Sequence, residues 1–132
     1  MATAAGPPRR RGEFADAVED GVGVRLGRDA DAVAWLDAYV ERTRTRALDP
    51  ATVDGQVEGI GAWLGECVIA AYGGAWAEVN GGWGVRFDER NAAFPFSKTR
   101  KQWENGAEDS ILSFYEMIPL IYRDLPGPGA GG

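Results

Sequence analysis

Apolar residues along the first half of the chain recur at spacings of three and four. Val33, Leu36, Tyr39 and Val40, with Trp35 on the flank, follow Asp29 and Asp31, either of which can cap a helix start. This first helix is predicted to end near Ala47. Leu48-Asp-Pro-Ala51 breaks it, and Pro50 suits the first turn of the next helix because it has no amide to donate. Val53, Val57, Ile60, Leu64 and Val68 then form an i, i+4, i+7, i+11, i+15 stripe, which marks a central core helix. Gly55, Gly59, Gly61 and Gly65 lie inside it, and each lowers helix propensity by up to about 1 kcal/mol against Ala. Something must approach that backbone closely, most simply the first helix or the sheet.

Gly73-Gly74 stops this helix, and the pattern changes to short aromatic and β-branched runs between turns. Three strands are predicted at Ala75 to Val79, Trp83 to Phe87 and Ala92 to Phe96, with Asn80-Gly81 supplying the positive φ of a tight hairpin. Trp83, Val85 and Phe87 share one face, with Gly84 and Arg86 on the other. Pro95 makes the third strand an edge or marks its end. Ser97 is placed as the cap of a short helix closed by Gly106. A last helix begins near Glu108 and Asp109 and buries Ile111, Phe114, Tyr115, Ile118 and Ile121, with Pro119 kinking or shortening it. The fold class is therefore α+β: two N-terminal helices, a three-stranded antiparallel meander and two C-terminal helices.

The two ends read differently. Residues 1–27 mix Pro, Gly, Arg, Asp and Glu with few large apolar side chains and are expected to be mobile, although Phe14 and Val18 suit a short docking turn. Residues 125–132, Leu-Pro-Gly-Pro-Gly-Ala-Gly-Gly, read as a disordered tail, which leaves residues 28–124 as a single domain. A chain of 132 residues with five Trp and five Phe can bury one modest core.

Composition narrows the chemistry. A net charge of −6 disfavours nucleic acid and anionic membranes as partners. Cys67 is the only cysteine, so neither an intramolecular disulfide nor a cysteine-based zinc site is available, and there is no histidine to act as base or metal ligand. The basic N-terminus lacks the apolar run of a secretory signal, no stretch has the length of a membrane span, and the cytoplasm is the expected compartment. Neither a cofactor nor a metal is expected.

Cys67 beside Glu66 has no cationic neighbour in sequence to activate it and reads as a small interior residue. Glu66 lies a turn from Trp63 and Ala70; as a buried carboxylate it is either an acid/base or ligand-binding group or a structural hydrogen-bond acceptor. Arg86, Arg90, Lys98, Arg100 and Lys101, interleaved with Phe96 and Trp103, concentrate positive charge on an acidic background. They suit a phosphate, a carboxylate or an acidic partner protein, or else a solvated helix face balanced by Asp88, Glu89 and Glu104. The glycine doublets lack the strand and helix context of a phosphate loop and read as turns. Trp76, Trp83 and Trp103 read as core, with the lining of a ligand-binding groove as the alternative.

The succession Leu64-Gly-Glu-Cys67, Tyr72-Gly-Gly-Ala-Trp76 and the block Asn91-Ala-Ala-Phe-Pro-Phe-Ser-Lys-Thr-Arg-Lys-Gln-Trp-Glu-Asn-Gly-Ala-Glu-Asp-Ser-Ile-Leu-Ser-Phe-Tyr115 resembles a family of small, mainly actinobacterial domains of unknown function. The similarity covers about residues 30 to 122. It implies a compact α+β unit with a Leu-Gly-Glu helix before a Gly-Gly-x-Trp turn and strand, and it brings no activity with it.

The functional expectation is a non-enzymatic cytosolic protein-binding module, of immunity or regulatory type, that uses the basic-aromatic surface of Arg86, Lys98, Arg100, Lys101 and Trp103. The alternative is a small-ligand-binding protein or hydrolase with Glu66 in a Trp-lined pocket between the second helix and the sheet. A third reading, a homo-oligomer subunit, calls for an apolar patch instead of a charged one.

Overall fold

The computed structural model describes residues 13–122 and 124–128. Its elements are α1 (Glu13–Val22), α2 (Ala30–Thr43), α3 (Pro50–Tyr72), β1 (Ala75–Val79), β2 (Gly82–Arg86), β3 (Ala92–Ala93), α4 (Pro95–Asn105) and α5 (Ile111–Ile121), with a 3-10 turn at Ala107–Asp109. The three strands form an antiparallel sheet in the order β1-β2-β3. This is the mixed helix-and-sheet architecture that the patterning predicts, with one helix more at the N-terminus.

α3 is the axis of the molecule. Asp49 caps it by accepting the Thr52 amide at 2.7 Å, a bond that also holds the Asp49 carboxyl below its usual range, and Pro50 occupies the first turn. Every residue from Ile60 to Val68 is buried, so the helix is enclosed around most of its circumference along this stretch. Three of its glycines are sockets for aromatic rings from three other elements. A Cβ on Gly59 would sit 3.0 Å from Cβ of Phe14 on α1; one on Gly61 would sit 2.7 Å from Cδ1 of Phe96 on α4; one on Gly65 would overlap the ring of Trp76 on β1. The Trp76 and Phe96 rings in turn meet at 5.5 Å. Gly55, by contrast, faces open space.

A second set of contacts is polar and joins α2, α4 and α5. Gln102 of α4, fully buried, donates to Glu41 of α2 at 2.8 Å and accepts the Ile111 amide of α5 at 2.9 Å. Asp37 of α2 accepts the Ser110 hydroxyl at 2.6 Å and the Leu112 amide at 3.3 Å, which fixes the first turn of α5. Arg44, just past α2, donates to the carbonyls of Trp103 and Glu104 at 2.9 and 3.0 Å, and so supplies a cationic cap to the C-terminus of α4.

Several expectations are corrected. Residues 13–22, placed in a mobile segment, form α1, because Phe14 and Val18 bury themselves against α3; Leu26 is buried as well. Residues 1–12 lie outside the described ones. The predicted disordered tail is ordered at its start: Leu125 packs on the core, and the Gly127 amide donates to the Tyr72 carbonyl at 3.1 Å. β3 is two residues long instead of five, because Pro95 opens α4 there, with Phe94 and not Ser97 at the cap position. α2 ends at Thr43, short of Ala47, and Ile121 of α5 is exposed alongside Met117 and Leu120.

The glycines of α3 therefore divide by sign. Gly65→Ala should destabilise the fold by about 1–3 kcal/mol through overpacking against Trp76. Gly55→Ala should stabilise it by up to about 1 kcal/mol through helix propensity. Urea unfolding of the two variants checks both, and equal shifts would contradict the socket geometry.

Candidate functional site

Of the basic-aromatic set, Trp103 is withdrawn from the surface and three of the cations are held by partners of their own. Trp103 is a core residue, 8% exposed, because the short α4 turns it inward beside the buried Gln102. Arg86 donates to the carbonyls of Asp88 and Glu89 at 3.5 and 3.3 Å and so closes the turn between β2 and β3. Asp88 shapes the same turn by accepting the amides of Arg90 and Asn91, which keeps its carboxyl below the usual range. Lys98 lies 3.6 Å from Asp109, whose carboxyl is held low first by the Asn105 side chain and also by this lysine. Lys101 is exposed one turn along.

Arg100 stands apart from these. It reaches back across the molecule to Asp54 of α3, with Nη2 2.7 Å from Oδ1. The two charges sit on the rim of an open groove of about 670 Å³ between the first half of α3 and the start of α4, lined also by Ala51, Gly55, Val57, Glu58, Phe96 and Ser97. A smaller recess of about 160 Å³, lined by Glu13, Phe14, Gly55, Glu58 and Gly59, shares Gly55 and Glu58 with it and carries the depression on to α1. The groove exists because Gly55 leaves a gap in the side-chain cover of α3, while Phe96, seated on Gly61, holds α4 at a fixed distance. Its lining mixes apolar residues with charges of both signs, a composition suited to a peptide segment. Arg100 is thus the one residue of the predicted set in the groove. Asp54 and Gly55 were not singled out as site residues; their signal in the sequence is a helical glycine off the apolar stripe beside a carboxylate.

Glu66 is buried on α3, and its Oε2 accepts the Trp76 indole N–H at 2.8 Å. The carboxylate therefore helps hold β1 against α3, on the same turn where Gly65 receives the Trp76 ring. The neighbouring Trp63 donates to the Gly27 carbonyl at 2.8 Å and carries the Arg28 guanidinium over its ring at 5.1 Å. Cys67 is fully buried, and burial, reinforced by Asp29, pushes its thiol up to about 12. Among the described residues no group of three or more acidic, cysteine or histidine side chains is placed to hold a metal ion, and no helix is long and apolar enough to cross a membrane.

No family model matches this chain, and neither the curated proteins nor the solved structures contain a match to it.

Two outcomes follow from the buried groups. Trp76→Phe removes the donor to Glu66 and should cost about 1–3 kcal/mol in urea unfolding; no loss would show that the bond is not structural. The Cys67 thiol titrates near 9.0 when unfolded and at about 12 when folded. Between those pH values the unfolded chain has released a proton that the native chain keeps, so stability falls as pH rises across that window. Cys67→Ala should flatten this fall without abolishing it, because Tyr115 is likewise pushed up to about 12 by burial. An unchanged slope in alkaline denaturation would contradict the thiol's part in it.

Proposed function

We propose that this chain is a non-enzymatic, cytoplasmic protein-binding module, of regulatory or immunity type, which receives a segment of its partner in the groove between α3 and α4. The observation that carries the reading is the groove itself. Gly55 leaves it open on the α3 side, half-buried Phe96 lines it, and the Arg100–Asp54 pair stands at its mouth. A solvated ion pair of this kind contributes at most about 1 kcal/mol, so a partner's own charges can replace either half of it. Apolar contact with Ala51 and Phe96 then supplies affinity, and the two charges of the pair set orientation.

The non-enzymatic part of the reading rests on the absence of histidine and on a sole thiol that is buried and hard to ionise. Glu66 does not line this groove. The net charge of −6 favours a partner with a basic surface and disfavours nucleic acid.

Gly55→Trp should fill the groove without disturbing the core, since a side chain there meets open space. Affinity capture from host lysate, read by mass spectrometry, should return a protein with the wild-type bait that is lost with Gly55→Trp and with Arg100→Glu. Lys101→Glu, on the exposed side of α4, should retain it. A partner captured equally by all four baits binds elsewhere, and this reading then fails.

A further inference from the structure

We infer that β1 is a self-association edge, at which two copies of this chain pair antiparallel about a two-fold axis through Ala77 and continue the sheet from three strands to six. The inference is independent of the α3–α4 groove and goes beyond the binding reading.

β1 is the outer strand of the sheet, with β2 as its sole neighbour among the described residues. Which of its backbone groups face outward follows from the ladder. The Phe87 amide donates to the Asn91 carbonyl at 2.8 Å, on the side of β3. Odd-numbered residues of β2 therefore turn their backbone groups toward β3 and even-numbered ones toward β1. Gly82, Gly84 and Arg86 pair with Val79, Ala77 and Ala75. These three residues of β1 bond inward, and the N–H and C=O groups of Trp76 and Glu78 point out from the edge. The hairpin agrees: Asn80 and Gly81, at φ 53° and 86°, form a tight turn closed by the hydrogen-bonded pair Val79 and Gly82.

Of the devices that usually blunt an exposed edge, proline, lysine, arginine and a bulge are missing from β1, and Glu78 is its one charge. β1 reads Ala-Trp-Ala-Glu-Val, without proline, lysine or arginine. Its register with β2 runs unbroken over all five residues, so no bulge twists it away.

The choice of occupant follows from the three registers in which outward residues meet outward residues. Glu78 opposite Glu78 of the second copy sets two carboxylates face to face. Trp76 opposite its own counterpart brings Glu78 against Gly74, where the backbone at φ 91° has left the strand conformation. Trp76 opposite Glu78 forms two hydrogen-bonded pairs, hence four backbone bonds, with Ala77 facing Ala77 at the centre, where side chains lie closest. That last register is symmetric, self-complementary and free of like-charge contact. The outer face of the strand, Ala75, Ala77 and Val79, carries only small uncharged side chains, and its one charge, Glu78, stands beside Trp76 of the second copy in this register.

Sedimentation velocity over a range of protein concentration tests this. The wild-type mass should rise toward twice the monomer value, and rise earlier at high salt, because each copy carries −6. Glu78→Pro removes an outward amide that the monomer does not use, and Ala77→Lys sets two cations at the centre. Both variants should remain monomeric with unchanged circular dichroism; should one fail to fold, the other decides. In the wild type, the amides of Trp76 and Glu78 should become protected from hydrogen exchange as concentration rises. A wild type that stays monomeric at every concentration and salt, or folded variants that dimerise as it does, would overturn the inference.

Discussion

The structure depends on aromatic rings lying directly against the backbone of α3. A helix of 23 residues with glycines at 55, 59, 61 and 65 forgoes a good deal of intrinsic helical stability. It is offset where Phe14, Phe96 and Trp76 sit on Gly59, Gly61 and Gly65, since each ring buries a large area against a surface that any side chain would push away. Helices in folded proteins draw most of their stability from such tertiary contact. Here the contact also sets the architecture, because the three rings come from α1, α4 and β1 and so bring two helices and the sheet onto one axis. The glycine that receives no ring, Gly55, is where the surface opens into the groove.

The polar ties join α2, α4 and α5, so that α4 belongs to both sets of contacts. Arg44 on the last carbonyls of α4, Gln102 between Glu41 and the Ile111 amide, and Asp37 at the start of α5 link three helices through groups that are wholly or largely withdrawn from water. Leaving any such group without its partner is costly in a buried setting, so the set specifies one arrangement of α2, α4 and α5. With the beginning of α4 seated on Gly61 and its end capped by Arg44, the helix has little freedom to shift. Arg100 is consequently held where it meets Asp54.

What was legible in the sequence was what local periodicity and turn chemistry encode. The α3 stripe, the Pro50 first turn, the Asn80-Gly81 hairpin and the Gly73 and Gly106 ends all appear where the pattern places them. The need for close backbone approach at the α3 glycines was legible too, but not the identity of the rings, which come from residues 11 to 45 positions away. Phe14 and Val18 suited a docking turn, yet a ten-residue helix with two apolar anchors does not announce itself against a segment rich in charge and glycine. Of the predicted site residues, Trp103 looked like a surface ring because it sits among charges in sequence; helical geometry turns it inward beside Gln102. The Arg100–Asp54 pair spans 46 positions, and no local pattern signals it.

The most direct measurement of the central claim is native-state hydrogen exchange along α3. Were the helix held by ring-on-backbone contact, the amides from Ile60 to Val68 should be the slowest to exchange in the molecule, glycines included, with protection that follows global unfolding. Amides of Gly61 and Gly65 exchanging by local opening, well ahead of the apolar stripe at Leu64 and Val68, would contradict the account and return these glycines to the role of weak points in the helix.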